Sequence, residues 1–211
     1  LNELGYTAFV LRYRIGRQAE DNAPLEDVAR AVQYITDHAE QFGVDPEDYA
    51  LLAYSSGGQI AGLFGSSSDT LGYKAYGVSK PGALLLGYPV NNFFELKPAW
   101  GLLIDPYADG PRYFDYNVSD FIDADYPPTF HWYGKNDLTL AKMCTPEQGR
   151  VIEKALVRNG VTHVFHRYDN APHKIGPGRG TDAEGWIPEA VAFWESQTQT
   201  KENDAARTTG E

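Results

Sequence analysis

Three side chains in this 211-residue sequence, Ser55, Asp137 and His173, combine residue types and settings that suit nucleophilic chemistry. Ser55 stands in Ala53-Tyr54-Ser55-Ser56-Gly57, between a short apolar run (YALLAY, 49–54) and a helix-like stretch (QIAGLF, 59–64). A serine hydroxyl is a weak nucleophile until a base takes its proton. A tight strand-to-helix turn, with small residues two positions to either side, would hold the hydroxyl where a base can reach it. The helix that follows would aim free backbone N–H groups at the same point, so the Ser56 N–H could donate to an oxyanion. A serine in a Gly/Ser-rich turn is ordinarily no more than a turn residue; the strand on one side and helix on the other favour the chemical reading.

Asp137 closes Gly134-Lys135-Asn136-Asp137, directly after the apolar run TFHWY at 129–133. An acid there lies at the carboxyl end of a parallel strand, the edge where open α/β sheets bind ligands. It would accept a hydrogen bond from a histidine ring and stabilise the imidazolium, although a solvated Asx turn fits the local sequence equally well. Asp105, Asp109, Asp115, Asp120, Asp123 and Asp125 follow no clear core strand, and Asp169 lies too near His173 on one loop to be preferred. Of five histidines, His38 falls on a helix flank and His131, His163 and His166 within strands. His173, in Asn170-Ala171-Pro172-His173-Lys174, alone occupies a loop after a strand.

The elements that must position these groups are legible in outline. Residues 6–14 (YTAFVLRYR) are aromatic and β-branched and predict a strand after a helix C-cap at Gly5. Pro24 opens a helix whose stripe, Leu25, Val28, Val32, Ile35, Ala39 and Phe42, steps by threes and fours until Gly43. Continuous apolar runs at 49–54, 83–88 and 129–133 predict parallel strands buried on both faces. Thr145-Pro146-Glu147-Gln148 predicts a capped helix over 146–159, and residues 161–168 a last strand. Strands alternating with helices imply an α/β fold, a mostly parallel sheet with helices on both faces. Residues 91–126 break the rhythm and read as a cap-like insertion within a domain over 1–195. The polar stretch 196–211 lacks a hydrophobic stripe and is expected to be disordered.

The turn at Ser55 resembles the G-x-S-x-G nucleophile elbow of α/β-hydrolases, with Ala53 in place of the first glycine. LNELGYTAFVLRYRIG, PLEDVARAVQYI and KPGALLLGYPV resemble the acetyl-esterase and lipase-like branch that includes carbohydrate esterases, and the likeness runs to about Trp194. The resemblance implies an α/β-hydrolase fold and an order Ser55, Asp137, His173 that matches the family's nucleophile, acid and base. It implies acyl transfer without a cofactor or metal, from a small ester such as an acylated sugar. Trp100, Tyr107, Tyr113, Phe114 and Tyr116 could then line a sugar or aryl group. The family's His-Gly-Gly or Gly-Gly-Gly oxyanion loop follows an early strand upstream of the point matched by Leu1. The second oxyanion donor and the first strands are therefore expected to lie outside the chain, leaving a gap or a new pairing beside residues 49–54. Serine peptidases of the prolyl-oligopeptidase type share this catalytic domain, and a catalytically weak fragment or binding module is the remaining alternative.

Composition narrows the partners. With 42% hydrophobic and 22% charged residues the chain is ordinary globular material,. A net charge of −11 argues against nucleic acid or an anionic membrane as partner,. The single cysteine, Cys144, excludes an internal disulfide, and no Cys/His spacing suggests zinc,. No apolar run reaches the ~18 residues of a membrane span. The cytoplasm is the expected compartment, with secretion left open because a signal peptide would precede Leu1; homo-oligomerisation is also left open.

Overall fold

A computed structural model describes residues 1–91, 116–137 and 145–208. Among the described residues four strands form one parallel sheet in chain order: β1 (Ala50–Tyr54), β2 (Ala83–Gly87), β3 (Thr129–Gly134) and β4 (His163–Tyr168). The register pairs Tyr54 with Gly87, Gly87 with Trp132 and Trp132 with His166, so the carboxyl ends of all four strands lie along one edge. β2 and β3 are buried throughout, whereas β1 and β4, at the two sides, are mostly half-buried. The expectation of strands buried on both faces therefore holds for the two central strands and not for β1.

Alternation along β2 divides the core. Leu84 and Leu86 pack with Leu25, Val28 and Val32 of α1 (Ala23–Asp37), with Ile60, Leu63 and Phe64 of α3 (Ser55–Phe64), and with Ile152 and Leu156 of α4 (Pro146–Arg158). Ala83 and Leu85 face the other way, toward Phe130, Trp132 and the residues Trp186, Ala190 and Val191 of α5 (Trp186–Thr208). Each fully buried leucine here contributes about 1.5–3 kcal/mol relative to exposure. The fold is thus an α/β sandwich with helices on both faces, as the alternation of elements predicts.

Three differences from the sequence reading have physical causes. Residues 6–14 are not a strand: no ladder forms there, and Val10 is 91% exposed. A strand exists only through pairing, and the sheet's order ends at β1 without reaching this segment. The segment is tied instead at its ends, by Tyr6 packing on Trp194 and by the Arg14 backbone N–H and Nε donating to Asp27 at 2.7 and 2.9 Å. Secondly, the helix opened by Pro24 breaks at His38, whose Nδ1 lies 2.8 Å from the Tyr34 carbonyl, and resumes as α2 (Ala39–Phe42) before Gly43 stops it in the left-handed region. Thirdly, the polar residues from 196 continue α5 to Thr208 where disorder is expected. Thr198 Oγ1 donates to Asp48 Oδ2 at 2.7 Å, and Ser196 and Thr200 return hydrogen bonds to carbonyls of their own helix. Most of the cap-like insertion, with Trp100, Tyr107, Tyr113 and Phe114, lies outside the described residues, as does Cys144.

Candidate active site

β1 passes into α3 with no intervening loop. Tyr54 is extended, at φ −132° and ψ 146°, and Ser55, the first helical residue, takes φ +53°. A non-glycine residue there costs on the order of 1–3 kcal/mol and persists only where packing imposes it. That packing is visible: a Cβ on Gly58 would sit 2.7 Å from the Pro89 side chain, and the Val90 N–H donates to the Ser55 carbonyl at 3.1 Å. Glycine at 58 thus lets α3 start against Pro89, just beyond β2. Ala53, at the position where the family pattern has glycine, packs its methyl group against the core. Ser56, second in α3, has an N–H that the helix itself cannot pair.

His173 lies in the loop after β4, its side chain 7% exposed, and its Nε2 is 2.9 Å from Ser55 Oγ. Its Nδ1 is 2.7 Å from Oδ2 of Asp137, three residues beyond β3 and only 1% exposed. The structure therefore brings Ser55, His173 and Asp137 into one continuous hydrogen-bonded line, with Ser56 beside it. In this arrangement an imidazole can take the serine proton through Nε2 while a buried carboxylate holds the other ring nitrogen as N–H. The loops are tied to each other: the Lys135 N–H donates to the Tyr168 carbonyl at 2.8 Å, and the Asp169 and Asn170 N–H groups donate to Asp182 at 2.6 and 3.0 Å. A Cβ on Gly134 would fall inside the Ala171 carbonyl, so the two loops meet at a contact that admits only glycine.

The competing acids are engaged elsewhere. Asp169 bridges to Lys135 Nζ at 2.5 Å. Asp123 accepts from Ser67, and Asp125 from Tyr73 and Lys80, whose contacts hold the Asp125 carboxyl well below the usual carboxylate range. Asp120 accepts from Asn117, while Asp105, Asp109 and Asp115 lie outside the described residues. The other histidines are structural: His163 bonds the Val161 carbonyl, His166 bonds Glu189, and His131 is fully buried in β3. Among the described residues no group of three or more His, Cys, Asp or Glu is gathered as a metal site. Nor, among the described residues, is any helix long and apolar enough to cross a membrane. Of the aromatic residues assigned to a substrate wall only Tyr116 is described; its carbonyl accepts from Gln59 Nε2 at 3.0 Å, which ties the segment after the insertion to α3.

Sequence reasoning overlooks Tyr88. It reads as the last residue of an apolar strand, but it lies beyond β2 at φ +40°, its ring centroid 4.7 Å from that of His173. The only signal is its place in Gly87-Tyr88-Pro89, where a strand meets proline,.

A parallel sheet flanked by helices, with a strained serine turn at the carboxyl edge of β1, is the α/β-hydrolase fold. The BD-FAE family model matches residues 1–83. The chain is 22% identical over 212 residues to an acetylxylan esterase of Xylanibacter ruminicola, covering 98% of this chain and 42% of that protein. It is 26% identical over 151 residues to a probable carboxylic ester hydrolase of Mycobacterium tuberculosis, covering 65% of this chain and 35% of that one. Among solved structures, an acetyl ester-xyloside bifunctional hydrolase from Caldicellulosiruptor lactoaceticus superimposes with a TM-score of 0.74 at 25% identity, over 92% of this chain and 73% of that chain. The chain spans less than half the length of the two curated relatives, both named as ester hydrolases.

Proposed function

We propose that this chain is a serine hydrolase of carboxylic esters, acting on short acyl groups such as the acetyl groups of carbohydrates. The observation that carries the reading is the line from Ser55 Oγ through the His173 imidazole to Asp137, at 2.9 and 2.7 Å. His173 Nε2 takes the Ser55 proton as Oγ attacks the ester carbonyl carbon. The resulting oxyanion is met by the Ser56 N–H, and Asp137 stabilises the imidazolium. The imidazolium returns its proton to the departing alcohol, leaving an acyl group on Ser55. A water molecule then gives His173 a proton, attacks the acyl carbon and releases the acid, and the proton passes back to Ser55 Oγ. General acid–base catalysis of this kind contributes about 10²–10⁴ in rate. The names of the relatives support an ester substrate, and the acetylxylan esterase among them supports an acylated sugar.

A fluorophosphonate probe tests the assignment. Covalent labelling of the full chain, abolished by Ser55→Ala and accompanied by hydrolysis of p-nitrophenyl acetate but not of a proline p-nitroanilide, is the expected result. Labelling that survives Ser55→Ala overturns the assignment, and hydrolysis of the anilide alone replaces it with a peptidase.

A further inference from the structure

The order of the sheet poses a problem for His173. Ser55 follows β1, Asp137 follows β3 and His173 follows β4, with β2 lying between the nucleophile and the other two. Strands are spaced about 4.8 Å apart, so the loop carrying His173 must arch back across the ends of β3 and β2 to bring Nε2 to Ser55. Whatever follows β2 lies beneath the imidazole. That residue is Tyr88.

We propose that Tyr88 is a positioning residue for His173, its ring fixing the imidazole between Ser55 and Asp137. The inference rests on the hydrolase reading given above. Tyr88 is 2% exposed, and its N–H still donates to the Trp132 carbonyl at 2.7 Å, as a strand residue would. Its backbone then turns into the left-handed region at φ +40°, a conformation that bulky side chains avoid,. The turn directs the ring at His173, with centroids 4.7 Å apart and planes at 56°. Trp132, edge-on at 4.9 Å, and Tyr54, at 5.8 Å, back the same ring, so it has little freedom to yield. Its hydroxyl accepts a hydrogen bond from the Gly176 N–H at 3.3 Å, while Trp186 Nε1 donates to the Gly176 carbonyl at 2.8 Å. The loop is therefore pinned three residues beyond His173 as well as at its ring. Ser55, Tyr88 and Lys174 are three of the five non-glycine residues at positive φ among those described, and all three belong to this site. Such strain gathers where surrounding structure enforces a geometry.

Ring and hydroxyl can be separated by substitution in the full chain. Tyr88→Leu removes the ring, and Tyr88→Phe removes only the hydroxyl. Tyr88→Leu is expected to lower kcat about 10- to 100-fold with KM changed less than about threefold, the loss of a well-oriented base, and Tyr88→Phe to restore most of it. In parallel, the rate of fluorophosphonate labelling of Ser55 is expected to fall about as far as kcat in Tyr88→Leu and to stay within about twofold of the parent in Tyr88→Phe. Tyr88→Phe keeps the ring and its packing, so if the leucine variant does not fold the phenylalanine variant still decides. A folded Tyr88→Leu with kcat within twofold of the parent, or a Tyr88→Phe labelled more than about tenfold more slowly than the parent, overturns the role of the Tyr88 ring. Absence of fluorophosphonate labelling in the parent overturns the hydrolase reading instead.

Discussion

Residues 6–14 and residues 83–91 are both rich in apolar and aromatic side chains, yet they end in opposite environments. Val10 is 91% exposed and Phe9 44%, whereas Leu84, Leu85, Leu86 and Tyr88 are all at or below 2%. Composition does not separate the two; backbone hydrogen bonding does. β2 has β1 on one side and β3 on the other, so its N–H and C=O groups are paired in both directions and the strand can be buried without leaving polar groups stranded,. Residues 6–14 have no ladder; the N–H groups of Tyr6 and Arg14, at the two ends, meet Leu1 and Asp27, and the side chains of residues 7–12 between them stay exposed. The same pairing gives chemistry its rigid base. Everything the site needs hangs from the carboxyl ends of paired strands, and strain at Ser55 and Tyr88 is tolerated because those strands cannot relax.

The strongest way to break this contrast is to disturb the paired side where it has least room. Gly134→Ala places a methyl group inside the Ala171 carbonyl, and backbone cannot swing aside as a flexible side chain would. Either the end of β3 or the loop bearing His173 must move. We expect a loss of about 3 kcal/mol in urea unfolding with an unchanged m-value, and slowed fluorophosphonate labelling of whatever folded protein remains. A variant within about 0.5 kcal/mol of the parent that labels at the parent's rate would show that the loop junction is softer than its geometry implies.

Much of the site can be read from the sequence because each group announces itself by its place after a strand. Ser55 carries its own signature of strand, small residues and helix. Asp137 and His173 are picked out by following apolar runs, and the structure puts the two nitrogens of the His173 imidazole 2.9 Å from Ser55 and 2.7 Å from Asp137. Tyr88 escapes because a tyrosine ending ALLLGY has every local reason to be a strand residue; its left-handed backbone is imposed by neighbours in space, among them the Trp132 carbonyl and Pro89 against Gly58. Residues 6–14 mislead for the converse reason. Their β propensity is real, but propensity expresses fit to a paired surface, and no partner is in place. Residues 196–200 of α5 show no stripe, and what ties them to the fold is a hydrogen bond, Thr198 to Asp48, which periodicity does not register.

A second test exploits His131, buried at the centre of the paired region on β3 and stacked on Phe165 at 4.6 Å. Burial, with repulsion from His163 as the next cause and a smaller one from His166, pushes its ring down to about 3; the nearby Gly149 backbone offsets only part of this. Neither ring nitrogen meets a partner in hydrogen-bond geometry. The sign follows from comparing the folded and unfolded chains. Above about pH 6.5 the ring is neutral in both and pH has no effect through it. Below that, the unfolded chain takes up a proton that the folded chain refuses, so stability falls by about 1.4 kcal/mol per pH unit until the ring protonates near pH 3. His131→Phe removes this contribution. Relative to its own value at pH 7.5, the variant should retain about 2 kcal/mol more than the parent at pH 5 in chemical denaturation. Parallel stability curves for the two proteins over pH 5–7.5 would mean that His131 is reached by water.

The smallest expected effect lies on the unpaired side. Val10 has almost all its surface in water and no ladder hydrogen bond to lose, so Val10→Ser removes little apolar contact and leaves the backbone solvated as before. A change within about 0.5 kcal/mol is expected in the urea midpoint, the range usual for surface positions. The result sharpens the contrast because valine favours a paired strand and serine does not. If residues 6–14 were held in a ladder in solution, the loss would approach 1 kcal/mol and amide exchange across 8–12 would be slow. Fast exchange at these amides, beside slow exchange at Leu85 and Leu86, would tie the difference between the two stretches to pairing, independently of side-chain composition.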